Sequence, residues 1–359
     1  YYLGYSGELI FDRSRDGYSA LHDDDGRLYD RGRLIHVPHL ADSLAAIATG
    51  GARVFYEGEL AEAIATHVRS GDGALTRDDL NAYEAIERPA LVADIDDWHV
   101  ATNPPPAVGG AVLTAMLLAC GDLHASNWDR TSLDKLIRVQ RACLDFRRDQ
   151  LDIADDVDAA AAELIRAAKQ GQFLSRWSSS STVHTSAVDD SGIACAVTAS
   201  SGYGSGEMPD GTGLWLNNGL GEIELNRRDV DSREPGERLP SNMAPTVARS
   251  KDATIAIGSP GADRITTAIH QVLVNMLQFG MPLADAIAHP RIHVDTTGDA
   301  DQLRTEPGLD MPALDLPMHS FPDINMYFGG VSVAAFDRRK GFEVAADARR
   351  EGGVFLSDA

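Results

Sequence analysis

Lysine is nearly absent from this chain. Of its 32 basic residues only Lys135, Lys169, Lys251 and Lys340 are lysines, and they face 54 acidic residues. The formal net charge of −22 argues against nucleic acid or an anionic membrane surface as a partner, because either needs concentrated positive charge. Salt adaptation and GC-rich coding account equally well for an acidic, arginine-biased composition. Cysteine is also scarce. Cys120, Cys143 and Cys195 are odd in number and lack metal-like spacing, so they predict buried or free thiols rather than a disulfide frame. No apolar run is long enough to cross a bilayer, and the longest, Ala107 to Cys120, predicts a buried helix without membrane insertion. No secretory leader pattern is visible, and the first residue, Tyr1, leaves the compartment open.

The 359 residues, 43% of them hydrophobic, suffice for one large core or two coupled lobes. Leu40, Leu44, Ile47 and Ala48 recur at helical spacing before the stop Gly50-Gly51, and Leu60 to Val68 predicts a second amphipathic helix. Thr76 is placed to cap a short helix whose first turn carries Asp78 and Asp79. Strand-like sequence follows between Ala90 and Val100. Asn103-Pro104-Pro105-Pro106 then forces an extended segment that Gly109-Gly110 releases into the apolar helix. Helices are predicted from Ser132 to about Gln150, from Val157 to Lys169, and from Ile265 to Leu277 with Gly280 as its stop. Strands are predicted at Val183–Asp189, Ala194–Ser200, Thr254–Ile257, Tyr327–Phe336 and Gly341–Ala345. Helices concentrated early and strands late predict mixed α and β layers.

The most informative segment is Ser178-Ser179-Ser180-Ser181-Thr182, which opens directly into a strand-like alternation. A hydroxyl is a weak nucleophile without a base beside it, and a threonine with a free N-terminus carries that base itself. An α-amine has a pKa of about 7.7–8.0, so an appreciable fraction is neutral near physiological pH. Cleavage between Ser181 and Thr182 would therefore create an N-terminal nucleophile. A plain Ser-rich linker would carry the same composition. Ser200 lies eighteen residues on; an antiparallel turn near Asp190-Ser191-Gly192 would bring it beside Thr182.

Two glycine-rich stretches also bear on chemistry. Ser201-Gly202-Tyr203-Gly204-Ser205-Gly206 follows a strand, but it lacks the full dinucleotide fingerprint. Gly258-Ser259-Pro260-Gly261-Ala262-Asp263-Arg264 joins a predicted strand to a predicted helix, where backbone N–H groups suit a developing oxyanion. Phosphate would use the same donors, but the Lys and Ser/Thr of a phosphate loop are missing. Asp263 reads equally as a helix cap. His184 reads as a packed strand residue or a support for Thr182. His289 and His293 are four apart with Pro290 between them, and His36 and His39 flank Pro38. Neither pair predicts a metal, and no cofactor is expected.

Together these segments resemble one family. Thr182-Val183-His184 with its Val-Asp-x-x-Gly turn is similar to the small-subunit start of γ-glutamyltranspeptidases. Leu216-Asn217-Asn218, Ser241-Asn242-Met243-Ala244-Pro245-Thr246, Gly258-Ser259-Pro260-Gly261 and Ala288-His289-Pro290-Arg291 resemble later small-subunit motifs. Leu75 to Tyr83 and Pro104-Pro105-Pro106 with Gly109-Gly110 resemble the large subunit. The resemblance implies an α+β fold, a four-layer αββα sandwich of the N-terminal-nucleophile type. It divides the chain into a large-subunit-like part, 1–181, and a small-subunit-like part, 182–359, both halves of one catalytic domain held together after processing.

The resemblance also implies roles. Thr182 attacks the γ-glutamyl amide of glutathione or a related compound, and the acyl group passes to water, an amino acid or a peptide. Ser200 is the second hydroxy residue, Gly261 and Ala262 form the oxyanion hole, Ser241 and Asn242 hold the α-carboxylate, and Glu222 grips the α-amine. Two departures stand out. Gly202 and Gly219 fall where the family offers polar side chains, and no motif matches the segment that bears the family's carboxylate-binding Arg. A related acylase for another amide, or a non-catalytic remnant, are the other readings. The family suggests a periplasmic or secreted location.

Overall fold

The structure, a computed structural model, describes residues 13–30, 32–121, 123, 125–170, 182–222, 233–296 and 300–357. The serine run and Ser181 lie outside these. Packing divides the chain into two units, one of Tyr1–Glu87 with Ser201–Gly219 and one of Arg88–Ser200 with Leu220–Ala359.

The first unit is helical: α1 (Arg15–Leu21), α2 (Leu40–Gly50), α3 (Arg53–Glu57), α4 (Glu59–Ser70) and α5 (Arg77–Asn81). Helix α2 ends at the predicted glycines. The Thr76 cap forms as a reciprocal box, in which Thr76 accepts the Asp79 N–H while the Asp79 carboxylate accepts the Thr76 N–H. The glycine-rich segment is stitched to these helices. Ser43 Oγ donates to Thr212 O at 2.6 Å, and Ser14 Oγ accepts Met208 N–H at 3.0 Å.

The second unit opens with the hairpin β1 (Leu91–Ile95) and β2 (Trp98–Thr102), then α6 (Val108–Ala119), α7 (Arg130–Phe146) and α8 (Val157–Gln170). It continues through β3 (Val183–Val188), β4 (Ala194–Ala199), β5 (Thr246–Arg249), β6 (Ala253–Gly258), α9 (Arg264–Leu273) and α10 (Leu283–Ala288). Strands β7 (Ile292–Asp295), β8 (Gln302–Thr305), β9 (Met318–Ser320), β10 (Ser332–Asp337) and β11 (Gly341–Ala346) complete it. The predicted α7 and α9 each end in a widened π turn, at Arg147–Leu151 and Val274–Gln278.

Six strands form the main sheet in the order β1-β2-β5-β6-β10-β11, antiparallel throughout. It therefore takes strands from both sides of residue 182. On one face Ile255, Ile257 and Val333 pack with Leu113 and Leu117 of α6 and Ile265 and Ile269 of α9. The other face carries Thr254, Ala256, Gly258, Ser332, Ala334 and Phe336 at alternate positions, and the β3–β4 hairpin lies over it. Strand β6 is consequently buried on both faces, which is why it reads as a continuous apolar run. The hairpin is covered on one face only, and its outer face exposes Val183, Cys195 and Val197. Helices, sheet and hairpin make a mixed α+β stack. Among the described residues, nothing buries that outer face.

Sequence reading missed β5, β7, β8 and β9. Each is three or four residues long, too short to establish a period. The predicted strand starting at Tyr327 begins instead at Ser332. Met326–Phe328 forms a helical turn ordered by Asn325 Oδ1, which accepts the Tyr327 N–H. All three cysteines are free thiols, as predicted; Cys120 and Cys143 are buried and Cys195 is exposed. No helix among the described residues is long and apolar enough to cross a membrane.

Candidate active site

Thr182 sits immediately before β3, and Ser200 immediately after β4. The last registered pair is Val183 with Ala199, and Thr182 and Ser200 are the residues that adjoin it at the open end of the hairpin. Both continue the half-buried series of their strands, the series that faces the main sheet.

His184 belongs to the same inward series. Its Nδ1 lies 2.7 Å from Thr198 Oγ1 and its Nε2 lies 2.9 Å from Ser186 Oγ. Burial pushes its pKa down to about 4, so the imidazole is neutral at physiological pH. With both ring nitrogens engaged by hydroxyls, it supports the hairpin rather than serving Thr182 as a base. The ring lies against Gly258, where a Cβ would come within 2.3 Å of it. This contact joins the strand that follows Thr182 to the turn that carries Gly261 and Ala262.

That turn adopts backbone conformations that L side chains avoid. Gly261 has φ +131° and Ala262 has φ +63°. The turn uses its carbonyls internally. Gly261 O accepts Arg264 N–H at 3.0 Å, and Ala262 O accepts Ile265 N–H at 3.2 Å and Asn242 Nδ2 at 2.7 Å. A third support comes from below, where Gly330 N–H donates to Ser259 Oγ at 3.0 Å and a Cβ on Gly261 would meet Gly329 Cα at 2.8 Å.

The Gly329-Gly330 segment is in turn anchored by buried charge. Arg291, in the Ala288-His289-Pro290-Arg291 segment, donates to Phe328 O and Ile287 O at 3.0 Å and pairs with Asp347 at 2.7 Å. Arg349 pairs with Asp347 and Glu306, and Asp347 accepts the Val331 N–H. Burial lowers the Arg291 pKa to about 10 despite Asp347, which leaves it charged.

Asn242 is therefore brought to Ala262, with one of its two amide hydrogens committed there. Ser241 is tied through its carbonyl to the start of α6, accepting Val108 N–H at 2.8 Å and Gly109 N–H at 3.1 Å. The predicted Gly109-Gly110 pair is required by this approach, since Cβ atoms there would meet the Asn242 and Asn103 carbonyl oxygens at 2.2 and 1.9 Å. Glu222 is buried at the end of the stretch 182–222. Gly202, at φ +59°, is pressed against the Asn218 carbonyl, so no side chain fits there. No His, Cys, Asp or Glu cluster able to hold a metal occurs among the described residues.

Sequence reasoning missed Arg147. It donates to Asp152 and, across 116 residues, to Asp263. The available signal was an Arg at the buried end of a long amphipathic helix, where paired charge is required.

The stack of layers matches a solved fold. The structure of a cephalosporin acylase from Bacillus halodurans superposes with a TM-score of 0.75 at 20% identity, covering 100% of this chain and 69% of that one. The profile of the Gamma-glutamyltranspeptidase family matches residues 8–357, and the chain belongs to that family. It is 28% identical over 348 residues to the glutathione hydrolase proenzyme of Escherichia coli, covering 87% of this chain and 59% of the relative. It is 27% identical to the capsule biosynthesis protein CapD proenzyme of Bacillus anthracis, covering 93% of this chain and 64% of that protein. The chain thus spans about 60% of the length of these curated relatives.

Proposed function

We propose that this chain provides the nucleophile and oxyanion site of a γ-glutamyl hydrolase or acyltransferase. Thr182 becomes N-terminal by cleavage after Ser181, and the two processed pieces stay together through the shared sheet. The freed α-amine takes the Thr182 hydroxyl proton as Oγ1 attacks the γ-glutamyl carbonyl carbon. The carbonyl oxygen becomes an oxyanion beside the Gly261 and Ala262 N–H groups. The C–N bond breaks, and the leaving amine takes the proton from the α-ammonium. Water, or the amine of an amino acid or peptide, then attacks the resulting ester and restores Thr182.

The observation that supports this reading is the β3–β4 register, whose last pair, Val183 with Ala199, adjoins Thr182 and Ser200 on a hairpin whose His184 abuts Gly258. Ser200 orients the nucleophile, and Ser241, Asn242 and Glu222 contact the donor's α-groups. A second reading, cleavage of a different amide by the same nucleophile, is favoured by Gly202, whose surroundings admit no polar side chain.

Intact-mass and N-terminal analysis of the purified protein tests the nucleophile. A piece beginning at Thr182 is expected, and an uncut chain counts against it. Turnover of γ-glutamyl-p-nitroanilide beside other acyl-anilides separates the two readings.

A further inference from the structure

Arg147 is one of the largest fully buried side chains in the described protein. It lies on the π turn that ends α7, with its guanidinium 1% exposed between two carboxylates that are also buried. Its Nε donates to Asp152 at 3.1 and 3.2 Å, and its Nη1 donates to Asp263 Oδ1 at 3.0 Å. Asp263 occupies the cap position of α9 without making a side-chain cap hydrogen bond. The side chain is directed to Arg147 instead.

Electrostatics makes this placement consequential. Asp263 directly follows Ala262, so a buried carboxylate is carried by the residue next to the N–H groups that would face a developing oxyanion. An uncompensated carboxylate there would oppose that charge. Burial alone would lower the Arg147 pKa, but Asp152 and Asp263 more than reverse this and hold it above the ordinary arginine range. Its planar fork reaches both carboxylates at once, which a lysine ammonium does less well.

We propose that Arg147 is a positioning residue for the Gly261–Ala262 turn, neutralising Asp263 and tethering the turn to Asp152. This rests on the reading of that turn as the oxyanion site. Neutralisation predicts a rescue that packing alone does not. With Arg147 removed, removing the Asp263 charge as well should restore function.

The test compares wild type with Arg147→Met and with Arg147→Met/Asp263→Asn. It measures kcat and KM on the best anilide, melting temperature, and amide exchange of a peptide spanning residues 259–264. Arg147→Met is expected to lower kcat about 100-fold with little change in KM, the scale of losing one oxyanion donor. The double variant is expected to regain about tenfold of that, on the same scale. Exchange at the turn should quicken in the single variant. Unchanged kcat in folded Arg147→Met overturns the proposal, as does a loss that tracks melting temperature and is not relieved by Asp263→Asn. If Arg147→Met does not fold, Arg147→Lys takes its place; wild-type kcat and exchange in that variant overturn the tether. If wild type is uncut and turns over no anilide, the oxyanion reading falls by itself. Amide exchange then decides the tether alone, and unchanged protection at residues 261–262 sinks it.

Discussion

The two halves of the candidate site are held in opposite ways. Thr182 and Ser200 end a two-stranded hairpin that is covered on one face, with exposed Val183 and Val197 on the other. Its strand pairing is set by neighbours in sequence, through a turn at Asp189–Ile193 and six registered pairs, while its inner face rests on the main sheet, where Ser186 Oγ donates to Ser332 O at 3.2 Å. The Gly258–Asp263 turn is held by residues distant in the chain. Asn242 takes Ala262 O, Arg147 takes Asp263, and Gly330 takes Ser259, while Gly329 fills the space beside Gly261. The proposed nucleophile thus adjoins a locally specified hairpin, while the proposed oxyanion turn, with its unfavourable backbone, is clamped by residues distant in the chain. Positive φ at Ala262 is unfavourable locally and persists only where the surroundings over-determine it.

The strongest way to test this division is Thr182→Ala. It is expected to abolish cleavage after residue 181 and to cut turnover by about 10⁴-fold or more, the scale of losing a nucleophile. Full processing in that variant, read by intact mass, would remove Thr182 from the site.

Ser200→Ala should act more gently. One lost hydrogen bond to the nucleophile corresponds to about tenfold in processing and turnover, with the melting temperature unchanged because the residue is only half-buried. Rates equal to wild type would confine the chemistry to Thr182.

Gly258→Ala attacks the contact between the halves. Its Cβ would lie 2.3 Å from the His184 ring, so the ring or the strand must move. Overpacking of this kind costs about 1–3 kcal/mol, and denaturant unfolding is the measurement. A neutral substitution would show that hairpin and turn are independent.

A last expectation concerns pH, where the effect is spread over several units. His184 and His270 are held to pKa values of about 4 by burial, and His293 to about 3, against about 6.5 when unfolded. Between these limits the unfolded chain binds protons that the folded one refuses. Stability is therefore greatest above about pH 6.5 and falls as pH drops through the window. His184→Gln should lessen the total loss across that window by about 3 kcal/mol at most, seen as a flatter dependence of unfolding free energy on pH. An identical slope would place the ring in water.

Much of the hairpin was legible because its signals are local. Alternation from Val183 and from Ala194, with Asp189 and Gly192 between, specifies two strands and a turn without reference to anything else. The same holds for the Thr76 cap and for Gly109-Gly110. The turn was legible as a loop between strand and helix, but its supports were not. Asp263 reads as a helix cap because capping is the short-range use of an aspartate there. Its partner, Arg147, is 116 residues away, and no periodicity links the two. Arg291 was visible as part of a motif, yet its purpose depends on Phe328 and Asp347, which approach it only in the folded chain.

By itself, then, the sequence determined the longer helices, the longer strands, the β3–β4 hairpin and the family, because each follows from residue spacing or motif. Tertiary structure alone decided what clamps the Gly258–Asp263 turn and which way Asp263 points. It also decided that β6 is enclosed while β3 is half open. The physical reason is that buried charges and strained backbone need partners, and those partners are selected by proximity in space, which residue order does not encode locally.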